Sequence, residues 1–107
     1  MLLVSGTREV WTAWVYIMVS QRNGTIYIGM TTDLPQRVFE HRSGIVPGFT
    51  QEHGCKTLVW FQGFETIVDA RTFERRMKKW NRAWKVKRIE EHNPQWRDLY
   101  PELASHV

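Results

Sequence analysis

A chain of 107 residues, 42% hydrophobic and 24% charged, can build one compact core; it is too short for two and too apolar for global disorder. The net charge of +4 and the sequence pI of about 9.6 point to a polyanionic partner, and residues 71–88 sharpen the point by holding nine Lys or Arg and one acid, Glu74. A single cysteine, Cys55, excludes an intramolecular disulfide and leaves no Cys/His zinc pattern to build, so a small buried residue in a reducing compartment, the cytoplasm, is expected.

The opening Met-Leu-Leu-Val is broken at once by Ser5 and Gly6, too early for the apolar region of a signal peptide. Residues 1 to about 12 read as a flexible lead-in to a single unit over 13–100, with 101–107 as a tail. No run approaches the roughly 20 apolar residues of a membrane-spanning helix, and no membrane partner is expected. Six tryptophans are many for this length; some serve the core and others a binding surface.

Residues 13–19 alternate, with Val15, Ile17 and Val19 on one face and Trp14, Tyr16 and Met18 on the other. Residues 25–30 alternate too, and Asn23-Gly24 between them is a strong hairpin signal. A two-residue turn and a four-residue loop over 21–24 both place Tyr16 and Tyr27 on one face; a three- or five-residue loop without a bulge would mix the faces. The four-residue loop sets Tyr16 opposite Gly29, with Tyr27 a diagonal neighbour about 7 Å away. The shorter turn separates the tyrosines by roughly 13 Å. If both serve one site the longer loop is favoured, and Gly29 then leaves open space where a ligand backbone can approach.

Thr32 or Asp33 caps the next helix, with Gln36 at capping-box spacing from Asp33 and Pro35 tolerated in the first turn. The helix runs to about Ser43-Gly44, packing Leu34, Val38 and Ile45 inward and carrying Arg37 and His41 on one face beside that stripe. Residues 45–54 read as a loop, and 57–65, with Leu58-Val59-Trp60-Phe61, as a buried third strand. A long helix opens at Thr66 or Asp69 and runs to about Arg82, with Phe73, Met77, Trp80 and Trp84 as its core stripe and Glu74 at its flank. A further basic helix over about 84–92 stops at Asn93-Pro94, and Trp96 and Leu99 fold back on the core. The order β-β-α-β-α-α predicts an α+β fold, a small three-stranded antiparallel sheet flanked by helices.

Taken singly these residues have plain structural readings: a strand tyrosine packs in a core, and Glu74 pairs with Lys78, its i+4 neighbour. Together they resemble the GIY-YIG nuclease family, particularly its small single-domain UPF0213 group. Tyr27-Ile28-Gly29 matches the second half of the family's name and Val15-Tyr16 the end of the first, with Trp14 where the name has glycine. Arg37, His41 and Glu74 follow Tyr27 by ten, fourteen and forty-seven residues, at the family's arginine, histidine-or-tyrosine and metal-binding glutamate. Phe49-Thr50, Lys79-Trp80-Asn81-Arg82 and Asn93-Pro94-Gln95-Trp96 also look like the small-member pattern, so the resemblance covers about residues 13–100.

The resemblance implies a metal-dependent endonuclease that hydrolyses DNA phosphodiesters with activated water. Glu74 would hold one Mg²⁺ or Mn²⁺. Arg37 would clamp a non-bridging oxygen. Tyr16 would act as general base, its phenol lowered by Arg37 and the metal, with His41 accepting or relaying the proton. Tyr27 would hydrogen-bond water or phosphate, and exchange of its role with that of Tyr16 stays open. Gly29, Lys78, Lys79, Arg82 and Asn93 are the expected substrate contacts. The lysine that some relatives carry soon after the glycine is absent from Met30-Thr31-Thr32. Two rival readings stand beside this one: a nucleic-acid-binding module without turnover, and a protein-interaction domain whose partner supplies targeting in a DNA-processing complex.

Overall fold

The strand β1 (Ala13–Val19) is apolar on both faces, and that decides the architecture. Every residue in it except Trp14 is at most 1% exposed, so a layer must cover each side of the sheet. The computed structural model describes residues 11–104 and supplies both layers. β1 is the central strand, paired antiparallel with β2 (Ile26–Thr31) on one side and β3 (Thr57–Phe64) on the other. Three helices follow β2 and β3 as expected: α1 (Leu34–Ser43), α3 (Ile67–Lys79) and α4 (Arg82–His92). Two short ones, α2 (Phe49–His53) and α5 (Tyr100–Ala104), are additional. The α+β class and the antiparallel three-stranded sheet are as predicted.

On one face Val15, Ile17 and Val19 pack against Ala70 and Met77 of α3 and Ile89 of α4. On the other, Tyr16 and Met18 pack against Leu34 and Val38 of α1, with Cys55, Leu58 and Leu103 closing the cluster. Each such aliphatic side chain contributes about 1.5–3 kcal/mol when removed from water, so the two clusters together dominate the stability of the sandwich. A bulge between Ile17 and Met18 of the β1–β3 pairing lets Val59 and Trp60 both face the α3 side, while Leu58 and Phe61 face α1.

The hairpin takes the four-residue loop. Ser20 N donates to Thr25 O at 3.1 Å, Gly24 N donates to Gln21 O at 2.8 Å, and Asn23 carries the positive φ of 61°. Tyr16 therefore stands opposite Gly29. At the start of α1 the Asp33 carboxylate accepts from Gln36 N, and Gly44 ends the helix with φ 73°.

Several expectations need correction. Residues 45–54 are not all loop: α2 forms there, bounded by Gly48 and Gly54 at φ 102° and 66°. Ile45 is 62% exposed, because Gly44 turns the chain away from the α1 stripe. The long helix stops at Lys79, since the Asn81 side chain accepts from Trp84 N at 2.9 Å and starts α4 instead. That break rotates Trp84 outward, 59% exposed, so the core stripe of Phe73, Met77 and Trp80 ends one residue short. At the end of the lead-in Thr12 N bonds Phe64 O at 2.8 Å and the Trp11 ring covers Gly63. The rest of it, residues 1–10, lies outside the described residues. So do 105–107 of the predicted tail, whose earlier part is α5.

Candidate active site

Tyr16, Tyr27 and His41 meet on the α1 side of the sheet. The register places the two tyrosines on diagonal positions of adjacent strands, and their ring centroids are 6.3 Å apart. His41, one turn after Arg37 on α1, enters the same cluster at 5.6 Å from the Tyr16 ring and 5.4 Å from that of Tyr27. Tyr16 Oη lies 2.9 Å from His41 Nε2, and His41 Nδ1 lies 3.1 Å from Thr50 Oγ1 on α2. Tyr16, His41 and Thr50 are 1%, 3% and 4% exposed, so this chain of three polar groups runs through the interior with each member satisfied.

Gly29 is what lets the phenol lie there. A Cβ at this position would stand 2.5 Å from Tyr16 Oη and 2.6 Å from its Cζ. The space above Gly29, expected to admit a substrate backbone, is filled by the Tyr16 ring.

Charge and burial compete at this cluster. Burial, then the neighbouring Tyr27, push the Tyr16 phenol well above its ordinary value, and Arg37 pulls the other way without prevailing. The expected lowering of Tyr16 by nearby cations is therefore reversed in the protein alone. His41 is held below the ordinary imidazole value, first by burial and then by Arg37, with Glu40 opposing. At neutral pH both groups are uncharged: a phenol that keeps its proton faces an imidazole with room for one. Arg37 is half-buried at the rim and pairs with Glu40 at 3.2 Å.

Glu74 lies on α3, in the layer on the opposite face of the sheet. Its side chain is 14% exposed, and the carboxylate lies 3.2 Å from Lys78 Nζ, the i+4 pair that the spacing allows. Lys78 in turn lines a groove of about 300 Å³ along β2, together with Ile26, Tyr27, Ile28, Phe49 and Lys85. Tyr27 thus forms part of both the buried cluster and the groove, one ion pair away from Glu74.

Comparison with known proteins gives the family. Residues 12–89 match the model of the GIY-YIG catalytic domain. The chain belongs to the GIY-YIG family. Within it, the chain is 31% identical over 80 residues to a UPF0213 protein of Streptococcus pneumoniae serotype 4, covering 75% of this chain and 80% of that one. It is 35% identical over 71 residues to a UPF0213 protein of Halobacterium salinarum, covering 66% and 91%. The solution NMR structure of a UPF0213 protein from Bacillus halodurans superposes with a TM-score of 0.51 at 27% identity, over 80% of this chain and 90% of that one. GIY-YIG domains form a nuclease superfamily, for which DNA is the implied substrate.

Glu74 is the metal ligand that the GIY-YIG resemblance implies, and its recessed side chain is paired with Lys78. Among the described residues no three His, Cys, Asp or Glu side chains converge into a protein-built cage. A single recessed carboxylate fits a hard divalent cation that keeps most of its waters and takes the remaining oxygens from phosphate.

The other expected substrate contacts are divided. Lys79 is exposed on α3. Arg82 donates from Nη2 to Gly24 O at 2.7 Å and ties α4 to the hairpin turn. Asn93 is 3% exposed: its Nδ2 donates to Val59 O at 3.1 Å and Arg97 O at 2.8 Å, and its Oδ1 accepts from Arg97 N at 2.9 Å. It fastens the chain after α4 to β3 in the interior, apart from the Tyr16 cluster. Arg88, within the same basic run, lies over Trp80 at 4.9 Å from the ring centroid and pairs with Glu91. Part of the positive charge near α4 is thus engaged within the protein.

Thr50 had no role assigned from the sequence, although the Phe49-Thr50 pair was part of the resemblance. Its function is geometric, since the hydroxyl holds His41 Nδ1 and so fixes the ring against Tyr16.

Proposed function

We propose that this protein is a metal-dependent endonuclease hydrolysing DNA phosphodiester bonds by attack of water. The observation that carries the reading is the buried Tyr16–His41–Thr50 chain with Arg37 at its rim. A phenol held neutral does not wait as a phenolate. Tyr16 Oη takes a proton from the attacking water as its own proton passes to His41 Nε2, and Nδ1–H donates to Thr50 Oγ1 throughout. The lowered imidazole is neutral and ready to accept at pH 7. Arg37 offsets charge developing on a non-bridging phosphate oxygen. Tyr27 hydrogen-bonds the water or the phosphate. Glu74 would hold one Mg²⁺ or Mn²⁺, which when bound neutralises phosphate charge and polarises the ester.

Lys78 and Lys79 track the phosphate backbone without reading sequence. A reducing compartment, the cytoplasm, belongs to the same reading, because Cys55 is buried with no second cysteine in the chain. The test is cleavage of labelled single-stranded, duplex and flapped DNAs in Mg²⁺, Mn²⁺ or EDTA by the wild type, Arg37→Ala and Glu74→Ala. Metal-dependent nicking that falls about a hundredfold or more in both variants is expected. No cleavage, with salt-sensitive binding intact in all three proteins, would favour a binding module instead.

A further inference from the structure

Phe49 is 46% exposed beside the buried cluster, where a large apolar ring gains little from folding. Its position is nonetheless well defined. Gly48 and Gly54 bound α2, and Glu52 N donates to Gly48 O at 3.0 Å. The adjacent Thr50 is anchored inward on His41. One helical turn therefore points Thr50 at the proton chain and Phe49 outward. The Phe49 ring is tilted by 29° from that of Tyr27 at 6.1 Å, and the exposed His53 ring lies 4.3 Å away on the same helix. The groove shared by Tyr27 and Phe49 has apolar walls from Ile26 and Ile28 and two ammonium groups, Lys78 and Lys85.

Flat aromatic rings over an apolar floor, flanked by cations, match one chemical class: a nucleobase with its attached phosphates. A base inside a duplex already has both faces covered by its neighbours, so only an unstacked base can present a face to Phe49. We propose that Phe49, supported by Tyr27 and His53, is a stacking platform for an unpaired nucleobase adjoining the scissile phosphate, and that it directs the protein to single-stranded or flapped DNA. This inference deepens the phosphodiesterase reading and rests on it for the position of the phosphate. Lys78, one ion pair from Glu74, and Lys85 would hold the neighbouring phosphates.

The experiment is equilibrium binding in EDTA, where turnover plays no part, of a short single strand carrying 2-aminopurine and of the matching duplex. Wild type, Phe49→Ala, Phe49→Leu and Phe49→Trp are compared. Stacking by the wild type should quench the 2-aminopurine fluorescence. Phe49→Ala should weaken single-strand binding about tenfold or more and abolish the quench, while changing duplex binding by less than about twofold. Phe49→Trp should restore both properties and Phe49→Leu neither. Equal single-strand affinity for wild type and Phe49→Ala would overturn the platform, as would Phe49→Leu restoring binding as well as Phe49→Trp. Nicking that needs Arg37 and Glu74 but ignores Phe49 in binding and in strand preference would remove the platform and leave the nuclease reading. A Phe49-dependent quench without any metal-dependent nicking would do the reverse.

Discussion

Tyr16 Oη and His41 Nε2 are 2.9 Å apart, linking the middle of the central strand to the helix that follows the hairpin. Neither residue can move far, because Tyr16 is wedged over Gly29 and His41 is pinned by Thr50. Burial holds both uncharged, which sets a pH dependence for activity and for stability.

Activity should fall on the acid side as His41 becomes protonated and can no longer accept from Tyr16. Because the His41 value is lowered, that limb should lie below the ordinary imidazole value of about 6.5. Single-turnover nicking rates over a pH series check this, and a limb above 6.5 would contradict it.

Stability follows the same groups by linkage. For His41, lowered in the folded state, the contribution is present above the unfolded imidazole value and is lost as pH falls through the folded one. For Tyr16, raised in the folded state, it is present below the unfolded value of about 10 and is lost as pH rises beyond that. Urea midpoints should therefore decline on both sides of neutrality, and Tyr16→Phe should flatten the alkaline decline.

Gly29→Ala should displace the Tyr16 ring, since the added methyl would meet Oη and Cζ at 2.5 and 2.6 Å. A destabilisation of about 1–3 kcal/mol is expected, with nicking reduced further than the loss of folded protein explains. Denaturant titration and rates measured on the folded fraction separate the two effects.

Glu74→Gln should abolish metal-dependent cleavage and strengthen binding in EDTA, because Lys78, no longer neutralised by its 3.2 Å pair, meets phosphate with its full charge. The slope of log binding constant against log salt should steepen by up to about 0.7–0.9, as Lys78 comes to neutralise a full phosphate charge. An unchanged slope would show that Lys78 faces no phosphate.

The hairpin was legible in residue order, because parity of the two apolar faces leaves few loop lengths and the pairing of two tyrosines in one site selects the four-residue one. The bounds of α1 were legible to within a residue, with Thr32 or Asp33 as the cap and Gly44 as the stop; the structure uses the Asp33 carboxylate. α2 is not legible in the sequence because five residues are too few to show a helical period, and the role of Thr50 depends on it. The Tyr16 phenol was expected to be lowered by cations, whereas the depth of its burial, which no residue pattern records, outweighs Arg37. The basic run was read as a uniform phosphate track, yet Arg82 serves the hairpin and Arg88 an aromatic cluster; charge is visible in sequence and its partners are not.

The most direct test of the account is the single-turnover nicking rate in Mg²⁺ of wild type beside Tyr16→Phe, with DNA binding measured for both. Tyr16→Phe removes one oxygen from the buried chain and leaves the ring over Gly29. The predicted result is a rate lower by about a hundredfold or more at equal DNA affinity. Nicking by Tyr16→Phe at the wild-type rate would contradict the Tyr16–His41 proton path, and absence of nicking by the wild type would contradict the nuclease reading itself.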